Sequence, residues 1–275
     1  QEPIFYAAGD ILGGKNPTLL PLHFSSELER SPWKSEAQDD PGGMAKEMAV
    51  SIFGENFDFV RRISDNFGNL TYMYGYGQKT LNCSAEGSYE YRMTPSTGSD
   101  PGFYASLESA ISFVAGHGGW GDERRASGYQ LSHASVEGSG REKIYNFEFS
   151  QTAGGIRIYS EAGSAIKLRL CAGEVFYYSR RAGLASAKFS PEREAVDAAN
   201  VLAGNCNLMY NILTGELLVP SSDKAFSYVV EKLERVSVGY VLSHGKLEPA
   251  WVIGLEGGNL FFFGLYDAEP LGFTR

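Results

Sequence analysis

An α+β fold, in which antiparallel sheets each carry a helix packed on one face, is what the hydrophobic pattern of this chain predicts. Three observations lead there. Apolar residues alternate with a period of two at Tyr145, Phe147 and Phe149, and again at Trp251, Ile253 and Leu255. They recur at helical spacing at Leu107, Ala110, Ile111 and Val114, and at Ala195, Ala198, Ala199 and Leu202. A helix followed by a strand, a glycine turn and a second strand occurs twice, which predicts two repeated units behind a strand-rich N-terminal part.

Residues 1–43 form the first part, an N-terminal arm. Pro3, Pro17, Pro21, Pro32 and Pro41 interrupt it, and Asp39-Asp40-Pro41-Gly42-Gly43 reads as a turn or break. Phe5, Tyr6 and Trp33 give the arm apolar groups to lay on the body, too many for a disordered tail. The second part, residues 44–103, opens with a short helix from Lys46 to Phe53. Strands follow at Phe57 and Phe59, at Leu70–Tyr74, at Leu81 and at Ser88–Tyr91, with a turn at Asn66–Asn69. The stretch TPSTGSDPG, Thr94 to Gly102, is the loop that closes it.

Residues 104–187 are the first helix–sheet unit. Ser106 is its expected N-cap, and GHGGWG, from Gly116, stops the helix. Glycine this dense suits a mobile loop. As a phosphate cradle it lacks the Lys-Ser/Thr and the strand-to-helix setting that such loops need. Strands follow from Tyr145, Ile156, Ile166 and Val175. Residues 188–275 are the second unit. Ser190 and Pro191 are expected as N-cap and first helical residue, with Glu192 and Glu194 at the positive helix end and Gly204 as the stop. A second helix begins near Ser221 or Ser222, and strands at Val236–Leu242, Trp251–Leu255 and Leu260–Tyr266 complete the unit around a Gly257-Gly258 turn.

Composition narrows the function. The formal charge of -9 repels a nucleic acid, and the basic doublets Arg61-Arg62, Arg124-Arg125 and Arg180-Arg181 read as solvated surface pairs. No apolar run reaches the ~20 residues of a membrane span. A chain opening on Gln1 without methionine suits a mature or truncated product whose export signal or anchor has been removed. Cys83, Cys171 and Cys206 are an odd number without CxxC spacing, which leaves room for one bridge at most. His23, His117, His133 and His244 are scattered, so no metal site is expected.

No catalytic set is expected either. Ser132-His133 and Ser243-His244 are neighbours, and neighbours on a strand point to opposite faces. No G-x-S-x-G elbow exists. Carboxylates total 33, too many for any pair to single itself out as a glycosidase dyad. No cofactor is called for. What remains is surface. Tyr72, Tyr74, Tyr89 and Tyr91 form an exposed aromatic platform for a partner, or else pack beneath the helix or the arm. Trp251 joins them as a candidate contact residue, with a core position on a sheet face as its alternative.

At this point a resemblance enters. The segments YNFEFSQTAGGIRIYS, from Tyr145, and LEPAWVIGLEGGNLFFFGLYDAE, from Leu247, resemble the extracytoplasmic domains of the YycH/YycI regulatory proteins of Gram-positive bacteria, and more loosely PepSY modules. Phe147-Glu148-Phe149-Ser150-Gln151 matches a Y-x-F-x-Q strand with Phe147 in place of tyrosine, and Leu247-Glu248-Pro249-Ala250-Trp251 matches an L-x-P-x-W strand. The resemblance spans Ser106 to Asp267. It implies a non-enzymatic module outside the cytoplasm that acts on a protein partner, a membrane sensor histidine kinase, and is held at the membrane through an anchor absent from this chain. A small-ligand or polymer-binding envelope lipoprotein is the alternative, and a hydrolase the less favoured one.

Overall fold

The computed structural model describes residues 27–31, 41–85, 87–120, 127–160, 163–181, 184–188, 193–216, 221–243 and 246–274. It is an α+β protein with four helices among the described residues and mostly antiparallel strand pairing. The chain forms two compact units. One comprises Arg30–Gly155 and Ala162–Ser186, the other Gln1–Glu29, Ile156–Glu161 and Ala187–Arg275. The division falls within the strands β1 (Glu27–Ser31) and β11 (Leu184–Lys188).

The first unit is built from two successive helix-plus-strands modules. Helix α1 (Pro41–Phe53) precedes β2 (Arg61–Ser64), β3 (Leu70–Tyr74), β4 (Lys79–Cys83) and β5 (Tyr89–Met93). Helix α2 (Phe103–Gly116) precedes β6 (Ser127–Glu137), β7 (Ile144–Ala153), β9 (Ile166–Cys171) and β10 (Glu174–Arg180). Each set of four strands is an antiparallel meander. The last strands of the two sets pair antiparallel, Tyr178 opposite Tyr91 and Arg180 opposite Tyr89. The outcome is an eight-stranded sheet in the order β2-β3-β4-β5-β10-β9-β7-β6, symmetric in sequence about the β5–β10 seam.

Cross-strand rows show which face is buried. One row runs Tyr72, Leu81, Tyr91, Tyr178, Leu168, Phe147 and Ala134; its neighbour runs Leu70, Cys83, Tyr89, Arg180, Ile166, Phe149 and Leu131. Both lie on the helix side, since side chains directly opposite in a pair share a face. Ala49 and Phe53 of α1, and Ala110 and Val114 of α2, complete this core. The opposite face carries Arg61, Met73, Thr80, Arg92, Tyr177, Arg169 and Asn146, all half-buried or exposed. A sheet covered on one face only has this hydrophobic-in, polar-out alternation.

In the second unit α3 (Ala198–Thr214) packs on α4 (Ser222–Glu231), with the rings of Tyr210 and Tyr228 edge to face at 5.0 Å. Strands β12 (Leu233–Ser243), β13 (Lys246–Leu255), β14 (Asn259–Gly264) and β15 (Pro270–Thr274) form a third antiparallel meander. Strand β8 (Ile156–Ser160) adds to β12 in parallel, Tyr240 opposite Ile158, and β1 meets β13 at Leu28 opposite Leu247.

Several boundaries differ from the sequence reading, each for a physical reason. Helix α1 begins at Pro41, where a turn was expected, because proline suits the first helical position. Phe57 and Phe59 lie in a 3-10 turn, Gly54–Phe59, and the strand comes after it. Helix α2 begins at Phe103 behind Gly102, so Ser106 is a fully buried interior residue and not the cap. Helix α3 is capped by Asp197, whose carboxylate accepts from the Ala199 N–H at 2.7 Å, and it runs through Gly204 to a left-handed Gly215. Residues 193–197 are not helical, and Val196 donates to the Leu265 carbonyl at 2.9 Å. The expected caps Ser190 and Pro191, the arm residues Phe5, Tyr6 and Trp33, His23, His244 and Arg124-Arg125 lie outside the described residues. So does most of the arm, 1–43, of which 27–31 is strand and 41–43 helix. The loop at 94–102 joins two modules within one unit, and the expected strand-rich part, 44–103, is itself a helix-plus-meander module. The repeat therefore occurs three times, and in the first unit it runs through β9 and β10, with β8 belonging to the second unit.

Candidate functional site: a free strand edge

The tyrosine platform does not form. Tyr72, Tyr89 and Tyr91 are buried on the helix side of the sheet, and Tyr74 is half-buried against the same core. Tyr72 lies 6.4 Å from the ring of Phe57, and Tyr91 stacks at 6.2 Å on Phe113 of α2. Packing beneath the helix is thus the arrangement the chain adopts, because β3 and β5 turn these rings toward α1 and α2. Trp251 is buried as well. Its indole N–H donates to the Val196 carbonyl at 2.9 Å and fixes the segment that leads into α3.

The glycine stretch after α2 closes the helix. The Trp120 indole donates to the Ile111 carbonyl at 3.2 Å, Ser51 to Gly116 at 3.0 Å, Tyr178 to His117 at 2.8 Å and Arg180 to Gly119 at 2.8 Å. Of these, Gly116 is a carbonyl that the helix end leaves unpaired, and His117 and Gly119 follow the helix. They sit at the negative pole, which repels a phosphate. Arg180 is only 5% exposed, so that doublet is not a solvated pair. Arg61 and Arg62 are exposed.

Other chemistry is not assembled among the described residues. The Ser132 hydroxyl donates to the Glu148 carbonyl at 3.0 Å, and no dyad links it to His133. No group of three or more His, Cys, Asp or Glu that could hold a metal exists among these residues, and all three cysteines are free and buried. No described helix is long and apolar enough to cross a membrane.

The sheet edges are different. In the first unit β2 ends the sheet on one side and β6 on the other, each paired on one side only among the described residues. Strand β2 is four residues long and carries Arg61 and Arg62. In the second unit the edge strand β15 has five residues and opens on Pro270. Short length, cationic side chains and proline all discourage a further strand. Strand β6 has none of these. It is eleven residues long, SGYQLSHASVE, roughly 35 Å at the usual strand rise. It has no proline and no lysine, and its one formal charge, Glu137, stands at its end.

A strip of apolar surface runs beside this edge. On β6, Leu131 and Val136 are 44% and 47% exposed and share the helix-side face with their partners Phe149 and Tyr145. On α2, Tyr104 and Ile111 are 84% and 43% exposed and, seven apart, fall on one flank. That flank faces β6. Trp120, bonded to Ile111, lies edge-on to Phe149 at 4.8 Å and to Tyr129 of β6 at 6.4 Å. At the other end Phe103 touches Tyr104, Tyr145 and Phe147, whose β6 partners include Val136 and Ala134. The free edge and the helix flank together make an exposed apolar strip.

The sequence reading passed over β6. Tyr129 and Leu131 keep a period of two, and so do Ala134 and Val136, but a bulge between Leu131 and His133 puts the two pairs out of phase. An alternation test that tolerated one inserted residue would have found it.

No protein-family model matches the chain, and no curated protein matches it. Among solved structures, it is similar to an uncharacterized protein from Eubacterium rectale ATCC 33656, at 13% identity over 90% of this chain and 85% of that one, with a TM-score of 0.49. It is also similar to the YpeB C-terminal domain of Bacillus megaterium, at 10% identity over 86% of this chain and 96% of that one, with a TM-score of 0.43. At these values neither carries a function or a residue role across. Neither is described as a YycH or YycI protein.

Proposed function

We propose that the chain is a non-enzymatic interaction module of the cell envelope, and that it acts by accepting an extended segment of another protein along β6. The observation that carries this reading is the eleven-residue edge, without proline or lysine, beside the exposed Tyr104, Ile111, Leu131 and Val136. In strand addition the main chain supplies hydrogen bonds, and alternate side chains lie against the flanking strip. The edge strands β2 and β15 carry devices that discourage such pairing, which favours β6 over them. An extracytoplasmic setting and a sensor histidine kinase as partner, both implied by the YycH/YycI resemblance, belong to this same proposal.

The test is capture from envelope extracts with the intact chain and with Val136→Lys, followed by hydrogen exchange on the recovered complex. The expected result is a partner that slows exchange of the β6 amides and is lost with Val136→Lys, while the melting temperature stays unchanged. A partner that leaves β6 amides unprotected, or binds the variant equally well, overturns the assignment to this edge.

A further inference from the structure

The strip beside β6 also restricts what can lie on it. Resting on the strand-addition reading, we infer that the segment β6 accepts carries a basic residue between two apolar ones, at alternate positions, and that Glu108 of α2 selects it.

Tyr104, Glu108 and Ile111 are spaced four and three apart, so they share one flank of α2. The packing of the helix shows which way that flank looks. Phe113 lies against Tyr91 and Tyr178, on the β5–β10 side, and Phe103 lies against Tyr145 and Phe147, on the β7 side. Tyr104, Glu108 and Ile111 follow roughly a quarter turn further round in the same direction, toward the free edge. The order along the flank matches the order along β6. Phe103, beside Tyr104, touches the β7 residues opposite Val136 and Ala134, and Trp120, bonded to Ile111, touches the β7 residue opposite Leu131. Glu108 therefore falls between the two apolar ends of the strip.

The bulge in β6 is absorbed in the count of residues. Strand β7 answers Leu131, Ala134 and Val136 with Phe149, Phe147 and Tyr145, which are two apart, so five residues of a neighbouring strand span the stretch. A segment on the free side that keeps this count turns its first, third and fifth side chains to the helix face. They span about 13 Å at the usual strand rise, against about 10 Å from Tyr104 to Ile111 along the helix. The first and fifth meet apolar surface, and the third lies nearest Glu108.

Charge sets the identity of that third residue. Glu108 is the one charged residue of α2, is exposed and has no ion pair among the described residues. Glu137, the one formal charge of β6, is met on the opposite face by Asn146 and Arg169. The helix face of the strip thus offers a single carboxylate and no exposed cation among the described residues. It attracts a lysine or arginine in the third place and repels an aspartate or glutamate there.

Panning a random linear-peptide library against the immobilised intact chain and against Glu108→Lys tests this. Among peptides that slow hydrogen exchange of the β6 amides, the intact chain should enrich Lys or Arg between two apolar residues, each two positions away. Glu108→Lys should enrich Asp or Glu at the same place. A selected basic peptide should bind Glu108→Gln about two- to fivefold more weakly than the intact chain, the size of a partly exposed ion pair, with the difference shrinking in high salt. Far-UV circular dichroism confirms that both variants are folded. Peptides that protect β6 without the basic preference, or with the same preference against Glu108→Lys, overturn the selection by Glu108 and leave strand addition standing. Peptides that all leave the β6 amides unprotected, or the recovery of no peptide, remove both.

Discussion

Arg180 shows how a single residue takes its meaning from its neighbours. In sequence it is half of a basic doublet. In the fold it stands in the helix-side row between Tyr89 and Ile166, with its guanidinium over the ring of Tyr129 at 5.2 Å. Its guanidinium donates to the Gly119 carbonyl in the turn that follows α2. Asp100 plays a comparable part at the other end of that helix. It accepts from Lys143 at 2.8 Å, from Tyr145 at 2.7 Å and from the Gly102 N–H at 2.9 Å. The Lys143 bond is the first cause that pulls its carboxyl from 3.8 down to about 2. A carboxyl depressed in the folded state adds stability above its unfolded pKa and loses it as pH falls toward the folded value. Melting temperature should therefore drop more steeply between about pH 4 and pH 2 in the intact chain than in Asp100→Asn. Equal slopes in a calorimetric pH series would show that the carboxylate contributes nothing there.

At the scale of elements, packing determines positions that pattern alone leaves open. Gly239, in the middle of β12, is one. A Cβ built there would lie 2.6 Å from the ring of Tyr159 on β8 and 3.0 Å from Val252 on β13. The glycine thus lets the Tyr159 ring lie across the strand and reach Phe262 at 5.2 Å. Gly239→Ala should destabilise the second unit by about 1–3 kcal/mol, the usual cost of forcing an extra group into a packed site. Urea unfolding followed by the fluorescence of Trp251 reads this out, and an unchanged midpoint would refute it. Helix α3 makes the complementary point. Alanines from Ala195 onward read as helix, but Val196 has its backbone N–H bonded to Leu265 and its carbonyl bonded to the Trp251 indole. Those tertiary bonds hold Val196 outside the helix, which begins after Asp197.

At the scale of the molecule, three helix-plus-meander modules account for most of the described chain, and the surface they leave is uneven. Among the described edges, β2 and β15 are short and carry arginine or proline, while β6 is long and interrupted by one bulge. The three cysteines report on the intactness of this arrangement. All are buried and free, and burial pushes the Cys83 thiol up to about 12. Native protein at about pH 8 should leave them unreactive toward a thiol reagent, since attack requires an accessible thiolate. Titration in denaturant should release them together within each unit. Rapid labelling of Cys83 in native protein would contradict its place in the core.

The sequence by itself determined the α+β class, the helix α2 and the strands β7 through β10 that follow β6, the α4 helix and the hairpin of β13 and β14. In most of those stretches period-2 or helical spacing is clear, and burial of one face leaves a single solution. Only the tertiary structure decided that Tyr72, Tyr89, Tyr91 and Trp251 face inward, because alternation states that a residue has a side, not which side is covered. It alone revealed β6 as well: a bulge erases the periodicity, and an edge is defined by the absence of a neighbour, which no local pattern encodes.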